Sequence, residues 1–140
     1  MTVAEHTEDA TAAKPVHTRA LIIGSGFSGL GMAIALQQQN VDFVILEKAD
    51  DIGGTWRDNT YPGCACDIPS HMYSFSFEPK PDWQHMWSFQ PEILDYLKGV
   101  TEKYGLRRYI SFGSHVDRAH WDDEDLVDAL GRPGPGRLRR

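Results

Sequence analysis

No stretch of this sequence is long and apolar enough to cross a membrane, since no run approaches the roughly 18–20 apolar residues a span needs. The first residues, MTVAEHTEDATAAKPVHT, are polar and acidic and lack the apolar centre of a secretory signal. The expected compartment is therefore the cytoplasm. Positive charge is also short, with 14 Lys and Arg against 20 Asp and Glu, a net charge of −6. Binding to a phosphate backbone is driven by Lys and Arg, so no nucleic-acid partner and no membrane partner is expected. Cysteine is nearly absent: Cys64 and Cys66 are the only two, spaced C-x-C. They cannot complete a four-ligand zinc site without several histidines, and the spacing is strained for a disulfide. Two reduced thiols are expected. His71, His85, His115 and His120 share no ligand spacing, so no metal is expected. No internal repeat is visible.

What remains is ordinary soluble composition, 41% hydrophobic and 24% charged over 140 residues, enough for one domain. Residues 1–18 are rich in Ala, Thr, Glu and Asp and read as a disordered tail. Residues 19–24 hold Ala-Leu-Ile-Ile stopped by Gly24, which suits a buried parallel strand. Leu30, Ala33, Ile34 and Leu36 then recur at helical spacing, up to Asn40. Residues 41–47, VDFVILE, predict a second buried strand. Strand, helix and strand make a βαβ unit. Residues 49–88 have turn signals and many aromatics but no period, and predict an ordered loop packed on a partner surface. Trp83 and Trp87 there are expected in the core. A helix follows in QPEILDYLKGVTEKYGL, with Pro91 in its first turn and Gly105 as its stop. Ile93, Leu94, Leu97, Val100 and Tyr104 form its apolar side. Residues 109–114 and 116–121 predict short strands. From 123 to 140 the pattern changes to GRPGPGRLRR-like sequence, read as a tail with no strand.

Between the first strand and the first helix stands Gly24-Ser25-Gly26-Phe27-Ser28-Gly29, a G-x-G-x-x-G. The motif alone is weak; in this position it has a mechanism. Gly24 allows a tight turn, Gly26 lets the backbone approach a pyrophosphate, and Gly29 brings helix and strand together. The free N–H groups of the helix start favour the anion. Glu47 lies 18 residues after Gly29, at the end of the second strand. An acidic side chain there accepts hydrogen bonds from an adenosine ribose and repels a 2′-phosphate. NAD and FAD therefore remain, and NADP is disfavoured at this position.

The stretch GGTWRDNTYPGCACD, residues 53–67, decides between them. The ordered pattern GxGxxG, Glu, GGxWxxxxYPGxxxD resembles the FAD-binding part of Baeyer–Villiger monooxygenases and of their flavin-containing monooxygenase relatives. CDIPSHMYSFSF and FQPEILDYLKGVTEKYGL are similar to that family's next segments. The resemblance runs from Arg19 to about Asp122. It implies an α/β fold, a Rossmann-like FAD-binding three-layer domain with a parallel sheet over residues 19–122, incomplete at its C-terminal side. It implies that Gly24, Gly26, Phe27, Ser28 and Gly29 hold the FAD diphosphate and that Glu47, with Lys48 beside it, meets the ribose. Gly54, Thr55 and Trp56 would run along the flavin's ribityl and diphosphate portion. Tyr73 would touch the flavin, and Val116 would contact adenine through its backbone. Asp67 would be an active-site carboxylate near flavin and nicotinamide, aimed inward by the Tyr61-Pro62-Gly63 turn.

The family's reaction uses NADPH to reduce FAD and O2 to insert one oxygen into a ketone. A second G-x-G-x-x-G for NADPH, the fingerprint F-x-G-x-x-x-H-x-x-x-W-P and the later active-site Arg are all absent here. A shifted reading frame or an early stop in a longer gene is the expected origin, and the chain alone is expected to be inactive. Two other functions stay open on the sequence: part of an N- or S-oxidising flavin-containing monooxygenase, or a nucleotide-binding module without catalysis.

Overall fold

The computed structural model describes residues 17–122 and 126–132. Strand β1 (Ala20–Ile23), helix α1 (Phe27–Gln38) and strand β2 (Phe43–Leu46) form the expected βαβ unit. The strands run parallel, with Ala20 opposite Phe43 and Ile23 opposite Leu46. Both are shorter than their apolar runs suggest. Gly24 ends β1 by taking φ +91°, open to glycine without steric penalty. The short helix α2 (Thr55–Asp58) follows in the loop region. Helix α3 (Gln90–Lys103) begins with Pro91 and Glu92 in its first turn. Gly105 then reverses the chain at φ +61°, the left-handed stop that glycine supplies. Strand β3 (Ile110–Ser111) adds parallel to β2, giving a sheet of order β1-β2-β3. Within that sheet β1 is paired on one side only, and Ile23 is exposed.

The core lies where α1 meets the sheet and where α3 closes over the loop. Leu30, Ala33 and Ile34 from α1 join Ile22, Phe43 and Ile45 from the strands, and Ile52, Ile93, Leu97 and Leu106 complete the cluster. Leu94 and Tyr104, expected on the apolar side of α3, are half-buried.

Two expectations are corrected. The sequence predicts a strandless tail from residue 123 onward. Strand β5 (Leu126–Arg132) instead pairs antiparallel with β4 (His115–Asp122), Trp121 opposite Val127 and His115 opposite Arg132. The Leu-Val-Asp-Ala-Leu run suits a hairpin partner, but the Gly-Pro-rich sequence just after it masks the signal. The rest of that stretch and residues 1–16 lie outside the described residues. The second correction is Trp87. Trp83 is buried, but Trp87 is 51% exposed and Met86 64%. The chain near 65 and 89 forms an antiparallel bridge, so Ser88 turns inward while Trp87 and Phe89 on either side turn outward.

The loop region is ordered by long-range bonds. The Cys66 N–H donates to the Ser88 carbonyl at 2.9 Å, and the Ser70 N–H donates to the Met86 carbonyl at 2.7 Å. Buried Ser70 Oγ contacts Ser88 Oγ at 2.8 Å and accepts from the Ser88 N–H at 2.8 Å.

Candidate functional site

Two glycine loops close on each other. The Gly53 N–H donates to the Ser25 carbonyl at 3.0 Å. A Cβ on Gly54 would lie 3.2 Å from the Cα of Gly26, and one on Gly29 would lie 2.0 Å from the carbonyl oxygen of Gly24. The two loops thus meet as bare backbone, with no room for a side chain between them. Helix α1 opens there at Gly26, with no side chain capping its first N–H groups.

Two cavities flank this point. One, of about 390 Å³, is lined by Gly24, Gly26, Glu47, Lys48, Arg57 and Val116, among others. The other, of about 420 Å³, carries Phe27, Ser28, Gly29, Trp56 and Tyr73. Gly24, Gly26, Gly54 and Thr55 line both. The aromatic wall of the second cavity is tied together: Trp56 Nε1 donates to Tyr73 Oη at 3.0 Å, and the Phe27 and Tyr73 rings meet edge-on at 4.9 Å. Gln90 at the start of α3 donates to the Trp56 carbonyl, anchoring α2 from behind.

Glu47 is 3% exposed, and its carboxyl is surrounded by donors. Its Oε2 accepts from the Ser25 N–H at 2.8 Å and from Ser25 Oγ at 2.7 Å. Its Oε1 accepts from the Ala49 N–H at 3.0 Å and lies 3.2 Å from Arg57 Nη1. Burial pushes the Glu47 carboxyl up, but Ser25, Ala49 and the Arg57 guanidinium outweigh it and hold it below the usual glutamate value. Burial likewise works against the Arg57 charge, and Asp58 and Glu47 together overcome it, raising its value. The Arg57 fork lies against Asp58, Nε at 2.8 Å and Nη2 at 3.2 Å, and Nη1 also donates to the Asp51 carbonyl.

The structure brings together every expected cofactor residue except one. Asp67 is exposed and lines neither cavity. The Tyr61-Pro62-Gly63 turn does form, with the Cys64 N–H bonded to the Tyr61 carbonyl at 3.1 Å and Gly63 at φ +80°. It leads the chain into the Cys66–Ser88 bond. Sequence reasoning also missed Ser25 and Arg57. Both stand inside stretches already singled out, Ser25 in the glycine motif and Arg57 directly after Trp56. No local pattern marks them, because their role appears only where the fold sets them against Glu47.

The family model for an NAD(P)-binding Rossmann-like domain matches residues 22–89. A Baeyer–Villiger monooxygenase of Streptomyces coelicolor is 54% identical over 111 residues, covering 79% of this chain and 21% of the relative. An FAD-binding monooxygenase of Aspergillus niger is 50% identical over 106 residues, 74% of this chain and 17% of its own length. Among solved structures, a cyclohexanone monooxygenase from Rhodococcus sp. Phi1 bound to NADP+ superposes with a TM-score of 0.79 at 38% identity, covering 86% of this chain and 24% of that one. The chain therefore spans about a sixth to a quarter of the length of these relatives.

Proposed function

We propose that the chain is the N-terminal part of a Baeyer–Villiger-type monooxygenase and that its described residues hold the adenosine-diphosphate half of FAD. The observation that carries this is the cavity in which the bare backbone of Gly24, Gly26 and Gly54 stands beside the buried Glu47 carboxylate. A Cβ on Gly54 would press on Gly26, so glycine at both positions lets the two loops close into one backbone wall of that cavity. The residues present fit the group. Gly24, Gly26 and Ser28 with the start of α1 would receive the diphosphate, Glu47 the ribose, and the backbone at Val116 the adenine. Phe27, Trp56 and Tyr73 would border the path toward the flavin ring. When bound, FAD supplies reduction by NADPH and reaction with O2.

In the whole protein we assign this site to insertion of one oxygen atom into a ketone, with NADPH as reductant. Asp67 lines neither cavity of this chain, and we assign it to the flavin and nicotinamide side of the site in the whole protein. Residues 19–122 form the cofactor-binding unit in this reading. The family model leaves a second reading, NAD at the same cleft, because both dinucleotides share the adenosine diphosphate.

The experiment is equilibrium binding of FAD, NAD and ADP to the 140-residue chain and to Glu47→Arg. FAD and ADP are expected to bind the parent weakly, and Glu47→Arg is expected to abolish both. Equal FAD binding by the variant would overturn the assignment, and NAD binding tighter than FAD would favour the second reading. With FAD, NADPH and cyclohexanone added, no ketone-dependent NADPH oxidation is expected; turnover above the free-flavin rate would show that this chain carries the whole activity.

A further inference from the structure

We infer that Arg57 is a positioning residue of the ribose end: it clamps the Glu47 carboxylate to the turn that carries Trp56. The inference rests on the proposed nucleotide site and adds to it a residue that acts on the nucleotide through Glu47.

Helix α2 is a single turn that reaches both cavities. Trp56 lines the cavity at Phe27 and Tyr73, and its successor Arg57 lines the cavity at Glu47. The Arg57 guanidinium is engaged on every nitrogen. Nη1 lies 3.2 Å from Glu47 Oε1 and donates to the Asp51 carbonyl, while Nε and Nη2 donate to the Asp58 carboxylate at 2.8 and 3.2 Å. A planar fork held by three partners has one orientation, which the flexible ammonium of a lysine would not have. The Arg57 side chain is 15% exposed and that of Glu47 4%, so solvent screens the pair little. The turn beneath is itself fixed, because Gln90 donates to the Trp56 carbonyl and the Gly53 N–H donates to the Ser25 carbonyl at 3.0 Å.

Glu47 gains from such a clamp in two ways. Its three hydrogen bonds come from Ser25 and Ala49, just past the ends of β1 and β2, and hold the carboxylate to the sheet. The ion pair with Arg57 ties it to α2 as well. The second gain is charge. Burial works against the ionised form, and the hydrogen bonds from Ser25 and Ala49, and then the Arg57 cation, oppose it. Without the cation this carboxylate takes up a proton at a higher pH, and a neutral carboxyl is the weaker acceptor for a ribose hydroxyl. Lys48, Asp58 and His115 also line this cavity. Asp58 is half-exposed, His115 Nδ1 lies 3.1 Å from Asp117 Oδ1, and Asp51 is held by Arg107 and Lys98. Removal of Arg57 leaves all of these in place.

The test compares the parent chain with Arg57→Met, which removes the charge, and with Arg57→Lys, which keeps the charge without the fork. ADP binding is measured at pH 7, and the titration of the Glu47 carboxyl is followed by ¹³C NMR in each chain without ligand. Arg57→Met is expected to bind ADP about tenfold more weakly, the loss of one contact between charged groups. Its Glu47 is expected to titrate at a higher pH than in the parent. Arg57→Lys is expected to return that titration toward the parent's and to recover only part of the affinity. A merely structural role for Arg57 would weaken both variants alike and leave the Glu47 titration where it is. That result, with ADP still bound by the parent, overturns the clamp and leaves the nucleotide site. A further measurement uses the parent alone, and so decides even where a variant fails to fold. The Arg57 guanidinium is expected to rotate slowly in ¹⁵N NMR, both in the free chain and with saturating ADP. Free rotation in either state overturns the clamp. A parent chain that binds no ADP at millimolar concentration overturns the nucleotide site itself, and with it the role given to Arg57.

Discussion

The β1–α1–β2 unit and the loop from residue 61 to residue 89 are both ordered, but different forces order them. In the first, consecutive residues make strand, turn and helix, the strands pair in register, and Leu30, Ala33 and Ile34 pack inward. In the second there is almost no regular structure. Its order comes from hydrogen bonds between residues some 16 to 22 positions apart, Cys66 with Ser88 and Ser70 with Met86 and Ser88, around one buried hydroxyl pair. The first region turns its bare backbone toward a cleft. The second turns Met72, Met86, Trp87 and Phe89 toward solvent. One region is stiff because backbone touches backbone; the other is stiff because polar groups that left water must find each other.

The sharpest test of this contrast is Gly29→Ala. The new Cβ would lie 2.0 Å from the Gly24 carbonyl oxygen, and backbone on both sides leaves no flexible neighbour to yield. A loss of about 3 kcal/mol or more is expected, at or beyond the upper end for overpacking, with loss of any nucleotide binding. Urea unfolding of the two chains measures it. A variant within 1 kcal/mol of the parent, by the same scale of core substitutions, would mean that the glycine loop is not closed as described.

Ser70→Ala probes the other region. It removes the hydroxyl that contacts Ser88 Oγ and accepts from the Ser88 N–H, leaving buried polar groups unmatched. A loss of about 1–3 kcal/mol is expected. Amide exchange should quicken at 64–72 and 86–90 while ADP binding stays within about twofold of the parent, since the two regions share no hydrogen bond through Ser70. Uniformly faster exchange, reaching β1 and β2, would show that the two regions unfold as one.

Glu47→Gln separates charge from shape at the nucleotide end. The Glu47 carboxyl titrates below its ordinary value of 4.5 when folded. Its ionic contribution is therefore complete above that value and is lost as pH falls through the lower folded value. At pH 7 the variant is expected to be less stable by about 1–3 kcal/mol, the range for a buried hydrogen-bonded group losing its match. Between about pH 5 and pH 3 the parent should lose stability faster, and the gap should narrow. Asp51, whose carboxyl is also held low, is present in both proteins and cancels. A gap that is constant with pH would mean that Glu47 is neutral in the folded chain.

The same contrast explains what the sequence made legible. The glycine motif, Glu47 and both early strands were readable because each depends on near neighbours: a strand ends in Gly24, a helix begins, and an acid follows at the next strand's end. Helix α3 was readable from Pro91, its apolar period and Gly105. Trp87 was misread because its direction depends on the pairing of residues 65–70 with 86–89, which no local pattern announces. Ser25 and Arg57 were overlooked for the opposite reason: they lie beside the legible motif, but their role exists only once Glu47 is brought against them. Strand β5 was hidden by composition, its apolar run lying next to Gly and Pro that dominate the reading.

Trp87→Ser carries the smallest expected effect and the most discriminating one for the loop. With half its surface in water, the side chain has little packing to lose, so stability should change by no more than about 0.5 kcal/mol. What should change is association. Trp87, Met86, Met72 and Phe89 are all exposed on the chain paired through Ser70 and Ser88, and exposed apolar patches promote contact between molecules. Light scattering against concentration is expected to show less self-association for the variant than for the parent at equal stability. A variant that instead unfolds more readily by over 1 kcal/mol, well outside the surface range, would place Trp87 in the core after all. The loop would then be held by apolar packing like the βαβ unit, and the difference between the two regions would disappear.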